Sequence, residues 1–266
     1  MVKQSKTTSE HGHALYARPR YYDQAFRAHR RDIEHYVELA RRARGPVLEL
    51  GAGTGRVTLA LLRAGVEVSA VDRSASMLAR LRERVEKLPQ AQRAGLRLIQ
   101  ADLRSLQLKQ RFELILAPFN LFMHMYTRED VESALACVRK HLRPNGKLAF
   151  DVLMPDLGVL RRDPERFYRC RPVFDPSDGH HYAYAERFAY DPLKQLQSIT
   201  MQFQRLDKPS EEREIVLVLR SFFPAELQAL LHYNGFRVLS HQGDFAGEAL
   251  DADSESQVVI AAVAKR

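Results

Sequence analysis

The stretch VLELGAGTGRVTLALL, Val47 to Leu62, sets three glycines among small residues, with a short apolar run before them and an amphipathic run after. The order strand, glycine loop, helix commits a chain to an α/β layer and lets backbone approach a ligand at the strand end. The nicotinamide and flavin fingerprint would require a third glycine where Arg56 stands. A phosphate-cradling loop would require Lys after its last glycine, and Arg56 follows Gly55. Both matches fail. What remains is Glu49 near a strand end, followed by Gly51, Gly53 and Gly55.

The chain of 266 residues suffices for one large α/β domain, or for a core with a modest insertion. Cys137 and Cys170 form no disulfide framework and no metal-ligand spacing, so both read as ordinary thiols, and no metal is expected. The apolar runs are far shorter than the roughly 20 residues that span a bilayer, and the N-terminus lacks the apolar stretch of a signal peptide; a cytoplasmic protein with no membrane partner is expected. The net charge of +8 would suit nucleic acid. However, the Arg-dense region Arg18 to Arg44 is interleaved with Asp23, Asp32, Glu34 and Glu38, as on a solvated helical face, which argues against a nucleic-acid partner.

Apolar residues at helical spacing predict one or two helices before Gly45, after a polar tail. Strands are then predicted at Val47 to Leu50, Val66 to Val71, Leu96 to Gln100, Phe112 to Ala117 and Lys147 to Leu153, with helices at Gly55 to Ala64, Ser74 to Leu88 and Arg128 to His141. Continuous apolar strands separated by amphipathic helices imply a parallel sheet covered on both faces. After Pro155 the pattern changes. An Arg- and Pro-rich stretch precedes the alternating runs HYAYAERFAY, LQSITMQFQRL and REIVLVLRSFF, joined by turn chemistry in DPLKQ and DKPSEE, so an antiparallel meander is expected. A helix opening at Pro224 and ending before Gly235, and two closing strands, complete the chain. Four segments follow: residues 1–45 with tail and lid helices, 46–155 the binding core, 156–223 the inserted meander, and 224–266 the rest of the core.

Asp72 closes the second strand about 20 residues beyond the glycines, where an acid can accept bonds from both hydroxyls of a ribose. An N-terminal helix cap by Asp72 or Ser74 reads equally well there. Asp102 closes the third strand. Taken together, ELGAGTG, AVDRSASML and IQADLRSL resemble the nucleotide-binding motifs of the class I S-adenosylmethionine-dependent methyltransferases. The resemblance implies a Rossmann-like seven-stranded sheet of order 3-2-1-4-5-7-6, its last strand antiparallel, with an antiparallel β insertion after strand five. It also implies an S-adenosylmethionine site made of Glu49, Gly51, Ala52, Gly53, Gly55, Asp72, Arg73, Met77, Asp102, Leu103, Pro118 and Phe119. Within that site Asp102 would receive the adenine amino group, the backbone of Leu103 would face the ring, and Met77 would lie against adenine or simply fill the core.

The loop after strand four, APFNLFMHMYTRED, lacks the [ND]-P-P-[YF] signature of enzymes that methylate base amines, and neither cysteine is placed for C5 chemistry on cytosine. The chain is instead similar to small-molecule N-methyltransferases of the glycine, sarcosine and amino-sugar type, in its Tyr-bearing N-terminal segment, its FNxFxH-like loop and its insertion. That similarity implies a small-molecule acceptor, most readily an amine nitrogen. His124 would take or orient the amine proton, or else cap and pack the short helix before Tyr126. Tyr22 is the second catalytic candidate and Tyr21 a substrate contact, although either ring could just pack. Asn120 joins the acceptor contacts. Tyr182, Tyr184, Glu186, Phe188 and Tyr190 share one strand face, which fits a cationic amine through Tyr182 and Glu186, or packing of the sheet on the protein body, or packing in a homodimer through the insertion. Methylation of RNA or protein, and S-adenosylmethionine binding without catalysis, are the alternative functions.

Overall fold

The computed structural model describes residues 13–264; the first twelve residues of the polar tail lie outside them. The chain divides into two compact units, residues 29–155 with 221–266, and residues 1–28 with 156–220.

The larger unit is built on a seven-stranded sheet. In chain order its elements are α3 (Arg31–Arg42), β1 (Val47–Leu50), α4 (Thr58–Arg63), β2 (Val68–Asp72), α5 (Ala75–Val85), α6 (Gln90–Arg93), β3 (Leu96–Gln100), β4 (Phe112–Ala117), a 3-10 turn (Leu121–His124), α7 (Arg128–His141), β5 (Leu142–Leu153), α9 (Pro224–Tyr233), β11 (Phe236–Gln242) and β12 (Ser256–Val263). The strand order is β11-β12-β5-β4-β1-β2-β3, which in core-strand numbers reads 3-2-1-4-5-7-6. The first five strands run parallel, as the sequence pattern implied, and β12 joins β5 antiparallel, as the family resemblance implied. All four residues of β1 are buried, as a central strand with both faces covered requires.

The element boundaries differ from the sequence reading where turn chemistry intervenes. Helix α4 begins at Thr58 because the residues before it form tight turns around the glycines. Strand β2 starts at Val68 because the helix end consumes Val66. Gly65 adopts φ +76°, its N–H donates to the Leu62 carbonyl (3.1 Å), and the Val66 N–H donates to the Leu61 carbonyl (3.0 Å). This is a Schellman closure, which satisfies carbonyls the helix would otherwise leave open. Strand β5 absorbs the Pro144-Asn145-Gly146 turn as an irregularity, with Asn145 at φ +67°.

The smaller unit consists of α1 (His13–Tyr16), α2 (Pro19–Ala25), α8 (Leu157–Leu160), β6 (Tyr168–Arg169), β7 (Val173–Asp175), β8 (His180–Asp191), β9 (Leu196–Arg205) and β10 (Glu212–Arg220). The three long runs form the expected antiparallel meander, in the order β10-β9-β8-β6, with β7 also on β8. The short strands β6 and β7 lie inside the Arg- and Pro-rich stretch, where two or three residues are too few for a readable period. Leu15 and Tyr21 are buried in one cluster with Tyr182, Met201, Phe203 and Ile215, which attaches the N-terminal helices to the meander.

Polar contacts reinforce that attachment. Asp175 has no exposed side-chain surface and accepts from Arg18 Nη2 (2.6 Å), Arg18 Nε (3.2 Å) and Arg213 Nη2 (2.6 Å). The Arg213 guanidinium also covers the Tyr182 ring at 4.2 Å. Asp178 stays within 3.0 Å of both arginines and would remain as a partial counter-charge without Asp175. Asp175→Ala is therefore expected to cost about 1–3 kcal/mol rather than the larger figure for a fully stranded buried charge. Hydrogen exchange should accelerate through residues 13–26, and an unchanged exchange pattern there would contradict the role given to Asp175.

Candidate functional site

The loops that follow β1, β2, β3 and β4 all leave the carboxyl edge of the parallel strands, where open α/β sheets bind their ligands. The glycine loop is built first. Gly53 sits at φ +56° and Gly55 at φ +85°, and a Cβ on Gly55 would come within 2.2 Å of Leu81 Cδ1. A side chain at position 55 would thus force apart the loop and α5, while at position 53 the backbone conformation itself demands glycine. The Ala52 N–H donates to the Val71 carbonyl (2.9 Å), and the Gly53 N–H donates to Asp72 Oδ2 (2.8 Å).

Asp72 therefore grips the loop from the end of β2. Its second oxygen accepts from the Ser74 N–H at 2.8 Å, while the Ser74 hydroxyl, not Asp72, caps α5 by accepting from the Met77 N–H. Burial raises the Asp72 carboxyl above its usual range, and the two backbone donors oppose that rise. Met77 is 2% exposed and would meet a Cβ on Gly53 at 3.5 Å, so it supports the loop from below. Arg73, next in sequence, is exposed. Glu49 lies beneath the loop, 1% exposed, and accepts from the Thr58 hydroxyl at 2.6 Å. Burial pushes its carboxyl up to about 7.

At the end of β3, Asp102 is about one-third exposed and bound side-on by Arg104, with Nη2 at 2.6 Å from Oδ2 and Nε at 3.0 Å from Oδ1. That ion pair holds its carboxyl below the ordinary range. Leu103 is buried beside it.

The loop after β4 begins at buried Pro118 and then takes two consecutive left-handed residues, Phe119 at φ 60° and Asn120 at φ 63°. Their N–H groups donate to the two oxygens of Asp151 on β5, at 2.8 Å and 3.0 Å. The Tyr36 hydroxyl of α3 donates to the same carboxylate at 2.5 Å. Burial pushes Asp151 up to about 6. Arg56 forms a two-point ion pair with Asp32 of α3 (2.6 and 2.5 Å), and its guanidinium covers the Phe119 ring at 4.3 Å. Leu121 then packs on the glycine loop so closely that a Cβ on Gly51 would lie 2.6 Å from its Cδ1. His124 ends the 3-10 turn, and burial together with the positive charge of Arg73 pushes it down to about 4.

The sequence reading contained no role for Asp151, Tyr36, Asp32, Arg56 or Arg104. An acid inside the apolar run LAFDVL was the available signal for Asp151. The remaining candidates belong to the smaller unit. Tyr21 is buried with its ring edge on Phe203 (centroids 5.3 Å apart), and Tyr22 lies 4.7 Å from Phe26. The Tyr182 hydroxyl donates to Asp178 at 2.9 Å, and Glu186 accepts a short hydrogen bond from Tyr184. Among the described residues, no three His, Cys, Asp or Glu side chains gather as a metal-holding group, and no helix is long and apolar enough to cross a membrane. Cys137 is buried, its thiol pushed up to about 11 by desolvation, which suits packing rather than nucleophilic attack.

Two measurements test this construction. The folded-state carboxyl of Glu49 lies above its unfolded value, so its stabilising contribution is complete below pH ~4.5 and is lost as pH rises through about 7. Glu49→Gln, which imitates the protonated form, should match the wild type in melting temperature near pH 5 and exceed it near pH 8. A difference independent of pH would refute the assignment. Asp151→Asn keeps the shape but can accept at only one oxygen, and is expected to cost about 1–3 kcal/mol in denaturant unfolding. A loss below ~0.5 kcal/mol would show that the left-handed pair does not depend on it.

The geometry has counterparts among known proteins. A family model described as a methyltransferase domain matches residues 47–146. A glycine/sarcosine N-methyltransferase of Aphanothece halophytica is 31% identical over 204 residues, covering 75% of this chain and 69% of the relative. A protein of the same name from Halorhodospira halochloris is 27% identical over 229 residues, covering 84% and 77% respectively. Among solved structures, the CcbJ methyltransferase from Streptomyces caelestis aligns with a TM-score of 0.79 at 25% identity, over 94% of this chain and 98% of that one. A glycine loop pinned by Asp72, acid-tipped neighbouring strands and these relatives lead to one conclusion: the chain belongs to the class I S-adenosylmethionine-dependent methyltransferases of the small-molecule type.

Proposed function

We propose that the enzyme methylates an amine nitrogen of a small acceptor. The observation that carries this reading is the loop after β4, anchored at Phe119 and Asn120 by Asp151 and ending in a histidine that is uncharged at neutral pH. The names of the relatives, glycine/sarcosine N-methyltransferase, support the same acceptor class.

The positive-φ cradle of Gly51, Gly53 and Gly55 fits a ligand that needs backbone at close range. Around it, the backbone of Gly51 to Gly53 would face the methionine portion, Asp72 the ribose hydroxyls, and Asp102 with Leu103 the adenine, while Pro118 and Phe119 close the side toward the acceptor. Bound S-adenosylmethionine supplies a methyl group already activated by its sulfonium. The protein's task would therefore be alignment: a neutral amine would take the methyl group as the S–C bond breaks, leaving S-adenosylhomocysteine, and the surplus proton would pass to solvent. Holding the partners in line can supply ~7–11 kcal/mol of barrier reduction without an acid or base. An imidazole near pKa 4 is a poor acceptor for an ammonium proton, so His124 would orient a neutral amine, with Asn120 of the same loop as a further contact. In the smaller unit Tyr21 and Tyr182 are buried, the Tyr182 ring is already covered by Arg213, and Glu186 accepts from Tyr184, so packing within that unit accounts for these three side chains better than contact with an acceptor.

The test is formation of S-adenosylhomocysteine with glycine, sarcosine, amino sugars, a peptide with a free N-terminus, hydroxylated analogues and total RNA. Turnover with small amines is expected. Turnover confined to RNA, protein or hydroxyl compounds would overturn the proposal. In the active pair, His124→Asn should lower kcat by less than about tenfold, and kcat/KM should rise with pH toward the acceptor's own amine pKa. A loss beyond ~10²-fold would instead give His124 the proton.

A further inference from the structure

Asp102 stands two residues past the end of β3, in a stretch with no regular secondary structure to fix its side chain. Arg104 fixes it. The Arg104 backbone N–H donates to Asp102 Oδ1 (2.9 Å), Nε reaches Oδ1 (3.0 Å) and Oδ2 (3.2 Å), and Nη2 reaches Oδ2 (2.6 Å). The far side of the same guanidinium is also held, since Nη1 donates to Asp130 Oδ1 at 2.6 Å. Asp130 is itself fixed in the capping box of α7: its N–H donates to the Thr127 hydroxyl (3.1 Å), and its other oxygen accepts from the Thr127 N–H (3.4 Å). Arg104 is thus clamped between two carboxylates, one of them rigidly seated on a helix N-terminus.

We infer that Arg104 is a positioning residue for base recognition, holding Asp102 as a fixed reader that can only accept hydrogen bonds. The inference rests on the reading that Asp102 faces the adenine. An ionised carboxylate offers about four lone-pair positions and no donor. Three Arg104 hydrogens take three of them, those on the backbone N, on Nη2 and on Nε, whose one hydrogen lies nearer Oδ1 than Oδ2, which leaves Oδ2 room for one outside N–H. An exocyclic amine fits that position, and a carbonyl in the same place would set two acceptors against each other. A mobile or protonated Asp102 could satisfy either group, so selectivity for an amino-bearing base depends on the clamp. The lowered carboxyl of Asp102 agrees with this arrangement.

The experiment is calorimetric titration of S-adenosylhomocysteine and its deaminated analogue S-inosylhomocysteine into the wild type, R104Q, R104K and D102A, with melting temperatures as a folding check. The wild type should favour the adenosyl compound by about 100-fold. R104Q should reduce that ratio below about tenfold, and R104K, which keeps the charge but loses the two-point grip, should fall between. A merely structural role would weaken both ligands alike and keep the ratio, so a wild-type ratio in folded R104Q overturns the inference, as does a wild-type ratio in R104K should R104Q not fold. D102A separates the two levels. If it keeps the wild-type ratio, or if the wild type has no preference, the reading of Asp102 fails as well. If D102A abolishes the ratio while the Arg104 variants retain it, only the role of Arg104 falls.

Discussion

Two successive non-glycine residues in the left-handed region cost on the order of 1 kcal/mol each, and Phe119 and Asn120 keep that conformation because Asp151 receives both of their N–H groups. The rest of the site follows from this contact. It turns the chain sharply after β4, presents the Phe119 ring to Arg56, and sets Leu121 against Gly51. A buried carboxylate is itself expensive, and the Tyr36 hydroxyl offsets part of that cost while drawing α3 into the arrangement. One acid on β5 therefore fixes the backbone of the loop after β4, and through Leu121 its approach to the glycine loop.

The parallel strands of the larger sheet were legible because they are continuous apolar runs, since burial on both faces leaves little choice of composition, while their order followed only from the family resemblance carried by the acids and glycines at their ends. The meander was legible for the opposite reason, since alternation marks strands with one face packed. Boundaries moved where hydrogen bonds between main-chain groups decided them, as at Gly65 and Val66, because such bonds leave little trace in side-chain type. Glycine positions in the site were readable, for few other residues accept their backbone angles. Asp151, Asp32 and Arg104 were not. Each depends on a partner elsewhere in the chain, Asp151 on residues 31 and 115 positions away, Asp32 on one 24 away, and Arg104, though it grips the nearby Asp102, on Asp130 at 26, and a single sequence carries no record of such pairings.

Arg56 shows how a residue can mislead by exclusion and still inform. Its presence ruled out the nicotinamide fingerprint, in which a third glycine lets helix and strand approach. Here the close approach is made one position earlier, at Gly55 against Leu81, which frees position 56 for a long side chain. That side chain spans from Asp32 on α3 to the ring of Phe119, binding the first helix of the larger unit to the loop after β4. The same glycine-rich beginning therefore serves a different ligand through a different set of supports.

The ion pair between Arg18 and Asp175 joins residues 157 positions apart, and its consequence concerns synthesis. A ribosome releases α1 and α2 before the meander, and every strand they pack against lies beyond residue 170. At ~5–20 residues per second, the leading helices wait on the order of ten seconds or more before Asp175 and Arg213 emerge. Helices of four and seven residues do not persist alone in water, so this segment leaves the tunnel without its final form. Meanwhile β1 to β5 emerge consecutively and can pair with near neighbours as they appear. Residues 13–26 are thus made early and placed late, since they depend on the completed meander.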